Sequence, residues 1–460
     1  MRWYWRRAQN GAGFGDIWRL AWPQILTMFF NFIIGACDVY VAGRLGREVQ
    51  ASVGMLSQAM FFFQVVALAV ANGAVAAVSQ SLGAGKTVRA GRYVGLSLLA
   101  GAAMSLVILG GGLLGRNLFL ALLQVPPSME TVAGYILDVF LLLLPINYLF
   151  IIANAVFRAK KQVMIPLFSW AIAAALNAAG DFGLGLGWFG LPALGYKGLA
   201  WSTFLSISGA LALNLVILGR QGLLRRAVMP PLRWIRRGLP YLFKVAWPSG
   251  LMQIIWHTGY LLLFSITASL PVESVAALAG MAAGIRVESL IFLPPVAFNF
   301  TAGILVGHYL GAGDGEEAKR VGYRILAVGV AAVTLMAAAM WPYVDQAVGI
   351  FTQDPQVQAQ AASYLRYNLL AIPFTVTGMI LIGALVGAGA TLYNMAVTVL
   401  SIWCVRLPLA WWLGHVYLQR AEGVWMAMLI SQAVQALAFL YVYQFKDWRR
   451  FGMSRAKNAA

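Results

Sequence analysis

Residues 20–42 read LAWPQILTMFFNFIIGACDVYVA, an almost unbroken apolar stretch that ends close to one carboxylate, Asp38. A helix needs about 20 mostly apolar residues to cross a bilayer, and this stretch is long enough. A charged side chain inside such a helix costs about 2.5–3.5 kcal/mol even on lenient insertion scales, so embedded charges usually face a cavity and carry a function. Asp38 is therefore the first candidate functional residue.

The composition of the whole chain is that of a membrane protein. Of its 460 residues, 61% are hydrophobic and 10% are charged, whereas a soluble protein has roughly a quarter charged residues. Further apolar stretches along the chain are also long enough to span a bilayer. We predict an all-α integral membrane protein with twelve transmembrane helices, at residues 20–42, 54–80, 93–114, 132–157, 164–187, 197–218, 243–266, 278–309, 321–343, 363–388, 394–416 and 423–445.

The net charge of +18 arises from 33 Lys and Arg against 15 Asp and Glu. Such an excess can indicate nucleic-acid binding, but the positions of the basic residues indicate membrane topology instead. Both terminal segments and the connections after even-numbered spans hold 25 of the 33. The positive-inside rule then places both termini in the cytoplasm, and we expect no nucleic-acid partner.

The two halves of the chain resemble each other. Ala-Trp-Pro occurs at 21–23 and 246–248, and Leu-Gly-Ala-Gly occurs at 82–85 and 310–313. Each half contains six predicted spans, an even number, so the repeats have the same orientation in the membrane. We predict two parallel six-helix repeats: an amino lobe at 1–218, a basic cytoplasmic linker at 219–242, and a carboxy lobe with a basic tail at 243–460. The linker either binds anionic lipid or serves only as a topology signal.

Polar side chains are predicted at the level of Asp38 in the first half. With a rise of 1.5 Å per residue, Asp38 lies about 22 Å above Pro23 in span one, and Asp181 lies about 25 Å above Met164 at the start of span five. Thr203 lies about 9 Å below the outer surface in the descending sixth span. Asn177 is one helical turn from Asp181 on the same face. The four residues therefore share one depth in the outer half of the membrane.

Three interpretations of these four residues remain open. Hard oxygen ligands suit a small cation such as Na⁺. Two carboxylates in a medium of low dielectric instead favour shared protonation. A purely structural set of interhelical hydrogen bonds is less attractive, because two acids lie at one depth.

Glu288 is the acid embedded in the second half. It could contact a cationic substrate, or it could be neutralised by Arg406 of the eleventh span. Arg286 is two residues away and points elsewhere on the helix, and we take Arg286 and Arg406 to be the main buried bases. Trp256 could line a cavity, so Glu288, Arg406 and Trp256 are candidates for the substrate cavity.

No catalytic constellation is visible in the sequence. His257, His308 and His415 are scattered, and none has metal-ligand spacing. The chain lacks a Walker Gly-Lys-Ser/Thr loop, a His-Glu-x-x-His motif and a Gly-x-Ser-x-Gly elbow. We expect a protein that is not an enzyme and that uses no cofactor beyond a coupling ion.

Short segments throughout the chain resemble the multidrug and toxic compound extrusion (MATE) family of cation-coupled efflux transporters. The resemblance runs nearly end to end, and the order and spacing of the segments make it specific. They are Pro23 with residues 38–46, Gly83 to Gly85, Arg158-Ala159, Asn177-x-x-x-Asp181, residues 198–203, residues 286–288 and Gly311 to Gly313.

The resemblance implies two six-helix bundles around a central cavity that opens alternately to either side. It also implies that Asp38, Asn177, Asp181 and Thr203 form a cation-coupling site, as in the bacterial branch with its site in the amino lobe. Other members place an acid in span seven, where residues 250–264 of this chain have none. By the repeat offsets, Asp38 corresponds to Leu263, so we expect a one-sided ion site.

The expected function is antiport of small organic compounds, cationic or amphipathic, against H⁺ or Na⁺, with Pro23 as a hinge. The alternative is a flippase for a lipid-linked precursor, built on a related two-lobed fold with a basic cavity. Twelve spans, with only Arg286 and Arg406 as the main buried bases, favour the exporter. We expect a monomer in the bacterial inner membrane, whose partners are the bilayer and a small organic substrate.

Overall fold

The computed structural model describes residues 13–225 and 229–453. Nearly all of these residues are helical, and this part of the chain contains no strand. The prediction of an all-α membrane protein is therefore confirmed. Residues 1–12, 226–228 and 454–460, which belong to the predicted cytoplasmic segments, lie outside the described residues.

Twelve helices within the described ranges are long and apolar enough to cross a membrane, as predicted. Three short α-helices, Arg116–Leu122, Val344–Gly349 and Leu407–Trp411, lie between or within them in the described ranges. The main helices are α1 (Phe14–Leu45), α2 (Arg47–Gly83), α3 (Thr87–Leu114), α4 (Glu130–Ala159), α5 (Met164–Gly180), α6 (Tyr196–Arg220), α7 (Leu232–Ala268), α8 (Ser274–Ile291), α9 (Leu293–Gly311), α10 (Gly315–Met340), α11 (Pro355–Ala388), α12 (Thr391–Val399) and α13 (Ala421–Phe445).

The eighth predicted span is interrupted. Helix α8 ends at Ile291 and α9 begins at Leu293, directly before Pro294 and Pro295. Proline has no N–H and clashes with the carbonyl four residues earlier, but the first turn of a helix tolerates it. The two prolines therefore explain why a new helix starts here.

The chain forms two compact units. The first unit is Leu26–Ala246, and the second unit combines the residues up to Ile25 with those from Trp247 onward. These boundaries fall inside α1 and α7, close to Pro23 and Pro248. The boundaries of the compact units do not coincide with the predicted limits of the two lobes, in α1 or in α7. The lobe limits stay a prediction.

The predicted linker packs against the first unit. Its residues from Leu232 onward already belong to α7. The ring of Trp234 lies edge-on to the ring of Tyr93, with 4.9 Å between centroids. Pro230 approaches Gly95 so closely that a Cβ on this glycine would lie 2.7 Å from its Cδ. These contacts with α3 explain why the linker groups with the first unit.

Each unit has its own apolar core. In the first unit, buried side chains of α2, α4 and α6 pack together, with Leu56, Ile136 and Tyr148 among them. In the second unit, α11 is the central helix and packs against α8, α9 and α13. Large aromatic residues fill its centre, including Tyr364 and Trp425, whose rings meet edge to face at 5.0 Å.

Glycines bring the backbones of α9 and α11 into direct contact. A Cβ on Gly387 would overlap the carbonyl group of Gly303, and a Cβ on Gly383 would overlap that of Asn299. Gly383 and Gly387 have the small-xxx-small spacing that lets membrane helices approach closely. Lipid is as apolar as the side chains, so such packing is a main source of helix association in a bilayer.

We expect Gly387→Ala to destabilise the second unit by about 1–3 kcal/mol, because the new methyl group meets backbone that cannot move aside. The measurement is the temperature at which half of the detergent-solubilised protein is lost from the monodisperse peak in size-exclusion chromatography. Gly110→Ala is the control, since a Cβ on this helical glycine meets nothing within 4 Å. Equal stability of the two variants would contradict the role of the glycine contact.

Candidate functional site

The four predicted residues of the first unit meet in space and are called here the Asp38 cluster: Asp38 of α1, Asn177 of α5, Asp181 just after α5, and Thr203 of α6. Asn177 Nδ2 donates hydrogen bonds to Asp38 Oδ1 at 3.1 Å and to Thr203 Oγ1 at 3.3 Å. Thr203 Oγ1 lies 3.4 Å from Asp38 Oδ1. The carboxyl groups of Asp38 and Asp181 lie close enough to influence each other electrostatically. Depth counting along three helices therefore predicted a real cluster.

The cluster has a closed end and an accessible end. Asn177 and Asp181 are fully buried, with 0% of their surface exposed. Asp38 and Thr203 are half-buried. Asp38 and Thr203 therefore form the accessible end of the cluster, and Asn177 and Asp181 form its closed end.

Oxygen atoms outnumber hydrogen-bond donors at the closed end. Both carboxylate oxygens of Asp181 and Oδ1 of Asn177 are buried without a hydrogen-bond partner in the described part of the chain. A buried polar atom without a partner costs about 1–3 kcal/mol, and a charged one costs more. The cluster is thus suited to accept a proton or a cation, either of which would relieve this cost.

A local change of helix type positions Asp181. Helix α5 passes into a π-helix at Asp181–Gly185, and such π turns are rare and often occur at functional sites. Helix α6 packs directly on this segment, because a Cβ on Gly198 would overlap the backbone of Leu184. Ser202 Oγ donates to the carbonyl of Asn177 at 2.8 Å. The close contact between α5 and α6 holds Asp181 beside Asp38.

Sequence reasoning missed two neighbours of the cluster, Ser202 and Cys37. Ser202 is fully buried against Gly180 and bonds to the backbone of α5. The Cys37 thiol is half-buried and lies near both carboxylates. Each residue directly precedes a predicted site residue, and this adjacency was the only signal available. The glycine-rich run after Asp181 was the corresponding signal for the π turn.

The second unit contains a different embedded network around Glu288. Tyr364 Oη donates to Glu288 Oε2 at 2.6 Å, and the ring of Tyr364 lies over Gly284 of α8. Arg406 is 2% exposed, and its Nε donates to Ser431 Oγ at 2.9 Å. Glu288 and Arg406 influence each other electrostatically but form no ion pair within 4.0 Å in the described ranges. Tyr364 is therefore the direct partner of Glu288.

The remaining predicted residues of the second unit lie at its surface or edge. Trp256 is 38% exposed, and its ring packs on that of Tyr260, with 4.7 Å between centroids. Tyr260 belongs to the Glu288 network, so Trp256 is connected to it only indirectly. The prediction that Arg286 is a buried base is wrong. Its side chain is exposed, because it lies on the side of α8 opposite to Glu288.

The predicted hinge residue, Pro23, lies inside a continuous helix. Helix α1 runs through it without a break from Phe14 to Leu45. The next residue, Gln24, donates from Nε2 to the carbonyl of Leu20 at 2.8 Å and to Thr301 Oγ1 at 2.9 Å. This part of α1 is therefore anchored to α9 of the second unit, and the hinge role of Pro23 stays a prediction.

The structure repeats the packing of the first unit in the second, but it does not repeat the chemistry. A Cβ on Gly423 of α13 would overlap the backbone of Leu413, as one on Gly198 would overlap Leu184. Leu413 also lies in a π-helical turn, Trp412–Tyr417. Leu184 and Leu413 are 229 positions apart, and at the same spacing Asn177 and Asp181 correspond to Arg406 and Ala410. The described second unit thus has no counterpart of the acid pair.

Known proteins share both the sequence pattern and the fold of this chain. A "Probable multidrug resistance protein NorM" of Thermotoga maritima is 26% identical over 445 residues, which cover 95% of this chain and 93% of that protein. A "Multidrug resistance protein NorM" of Burkholderia vietnamiensis is 25% identical over 447 residues, 94% of each chain. A crystal structure of MATE in the bent conformation superposes with a TM-score of 0.83 at 20% identity over 96% of both chains.

The family model is matched in both halves. It covers residues 23–182 and 248–412, one stretch in each repeat. The first stretch contains Asp38, Asn177 and Asp181, and the second contains Glu288 and Arg406. Because the matched stretches cover well over half of the residues, this multi-pass membrane protein belongs to the MatE family of efflux transporters.

Proposed function

We propose that the protein is a secondary active antiporter that exports small organic compounds, cationic or amphipathic, in exchange for H⁺ or Na⁺ by alternating access. Membership of a family of multidrug efflux transporters supports drug extrusion. The observation that carries the coupling is the Asp38 cluster, in which an accessible carboxylate lies beside a buried one whose oxygens accept no hydrogen bond from the described residues. The protein is a transporter and not an enzyme.

The cluster has the chemistry that a coupling ion requires. Two carboxylates in a low dielectric repel each other when both are charged, so a shared proton stabilises the pair. Na⁺ would instead be held by carboxylate, amide and hydroxyl oxygens, the hard ligands that such a cation prefers. In the described ranges no group of three or more His, Cys, Asp or Glu residues is arranged as the ligands of one metal ion. Two acids with two neutral oxygens suit a monovalent ion.

Binding of the ion can bias the conformation because α1 belongs to both units. Asp38 lies in the first unit, whereas the residues up to Ile25 belong to the second. An ion shifts a conformational equilibrium only by its differential affinity for the two states. We propose that occupation of the Asp38 cluster favours one position of α1, that Pro23 absorbs the change, and that substrate is then released outward.

The proposed setting is the bacterial inner membrane, with both termini in the cytoplasm and a monomer as the functional form. The distribution of Lys and Arg supports this orientation. The lipid-linked precursor flippase remains the alternative. The relatives named as multidrug resistance proteins favour the exporter.

Asp38→Asn should abolish coupled efflux, because the amide cannot take up a proton or neutralise Na⁺. The measurement is transport of rhodamine 123, a lipophilic cation, in proteoliposomes under a Na⁺ gradient at constant pH and, separately, under a pH gradient without Na⁺. The gradient that drives the wild type identifies the ion. Glu130→Gln is the control, since Glu130 is an exposed acid at the start of α4. Gradient-driven transport by Asp38→Asn at the wild-type rate would contradict the assignment.

Thr203→Val should raise the ion concentration needed for half-maximal efflux by about twofold to tenfold, because it removes one neutral oxygen worth about 0.5–1.5 kcal/mol. Thr203→Ser keeps the hydroxyl group and should restore the wild-type value. The maximal rate at saturating ion should change little in either variant. If Thr203→Ser were as defective as Thr203→Val, the methyl group rather than the oxygen would be responsible.

A further inference from the structure

Arg286 is a charged side chain that the proposed mechanism does not use. It lies in α8, on the side opposite to the one that packs against α11. The packed side carries Gly280, Gly284 and Glu288, and the exposed side carries Ala282, Arg286 and Leu290. Within the described residues the Arg286 side chain forms no hydrogen bond, ion pair or ring contact.

The depth of Arg286 makes contact with lipid costly. It is twelve residues, or about 18 Å, from the start of α8 at Ser274. It is about 37 Å from the far end of α9 at Gly311, and neither end is within reach of one side chain. An arginine that faces hydrocarbon is costly even on lenient insertion scales, and embedded charges almost always face protein or a water-filled cavity. An exposed arginine at this position therefore faces water.

Two other arginines of the second unit, Arg366 and Arg406, are already accounted for. Arg366 forms an ion pair with Asp345, with 2.7 Å between Nη2 and Oδ2. Arg406 is buried, bonded to Ser431 and compensated by the nearby Glu288. Arg286 alone of the three presents an uncompensated guanidinium group, which is a planar donor that matches a carboxylate in bidentate fashion.

We propose that Arg286 is a specificity-determining residue that binds a carboxylate group of the exported compound. This inference rests on the proposed export function and adds to its substrate class small organic molecules that carry a carboxylate, including zwitterions, beside the lipophilic cations. A single cation beside Ala282 and Leu290 matches one negative charge on an otherwise apolar molecule. A lipid-linked diphosphate carries more charge and would call for more than one exposed arginine.

The test uses two probes that differ only in the carboxylate. Rhodamine 110 has a free carboxyl group, and rhodamine 123 is its methyl ester. Their affinities for the purified full-length protein are measured by fluorescence anisotropy. Arg286→Gln should weaken binding of rhodamine 110 by about tenfold or more, the loss expected for a hydrogen-bonded charge pair. Binding of rhodamine 123 should stay within about twofold.

Two further variants define the interaction. Arg286→Lys keeps the charge but loses the planar fork, so its affinity for rhodamine 110 should be intermediate. If Arg286→Gln does not fold, the affinities of Arg286→Lys for the two probes still test the proposal. Arg420→Gln removes an exposed arginine at the start of α13 and should bind both probes like the wild type. The proposal would be overturned if Arg286→Gln lost affinity for both probes equally, or lost affinity for neither.

A competition experiment distinguishes a lipid headgroup from a small substrate as the ligand of Arg286. Dioctanoyl phosphatidylglycerol should not displace rhodamine 110 at concentrations at which unlabelled benzoate derivatives of similar size do. Displacement of rhodamine 110 from the wild type by this lipid at those concentrations would overturn the proposal in favour of a lipid site. Efflux of rhodamine 123 checks the export function separately. A wild type that fails to export it contradicts that function, whereas the binding comparison still decides the role of Arg286.

Discussion

The embedded carboxylates impose the main constraint on this protein. In hydrocarbon, an acidic side chain must find polar partners within the protein or bind an ion. Asp38 accepts hydrogen bonds from Asn177 and Thr203, whereas the buried carboxylate of Asp181 accepts none from the residues that the structure describes. Local structure brings these groups together. A π turn begins at Asp181, and the glycine contact at Gly198 lets α6 pack closely against this turn. The proposed ion coupling follows from an acid pair that is incomplete without a proton or a cation.

The packing that holds these acids in place depends on small residues. The hydrophobic effect does not drive helices together inside a bilayer, so van der Waals packing between closely spaced backbones is decisive. Gly198 and Gly423 have the same role in the two repeats, and Gly303, Gly383 and Gly387 bring α9 and α11 together. Membership of the MatE family agrees with this architecture, since the matched stretches fall in the two repeats.

Duplication preserved the helix packing but not the charges. Where the first unit has Asn177 and Asp181, the second has Arg406 and Ala410. Arg406 supplies a positive charge within the protein, and Tyr364 supplies the hydrogen bond that Glu288 needs. The embedded charges of the second unit therefore compensate each other, whereas the acid pair of the first unit has no nearby positive charge among the described residues. Arg286 lies outside both networks, on the free side of α8.

The sequence by itself determined the membrane class, the twelve spans and the repeat, because each depends on apolar length, charge distribution or motif spacing along the chain. It also predicted the Asp38 cluster, since the constant rise of a helix converts residue number into depth. Depth says nothing of which side of a helix faces its neighbour. Only the tertiary structure therefore decided that Arg286 is exposed, that Tyr364 bonds to Glu288, and that a π turn brings Asp181 to Asp38. The limits of the compact units were also decided by the tertiary structure. Their limits within α1 and α7 depend on contacts between residues such as Gln24 and Thr301, which are 277 positions apart.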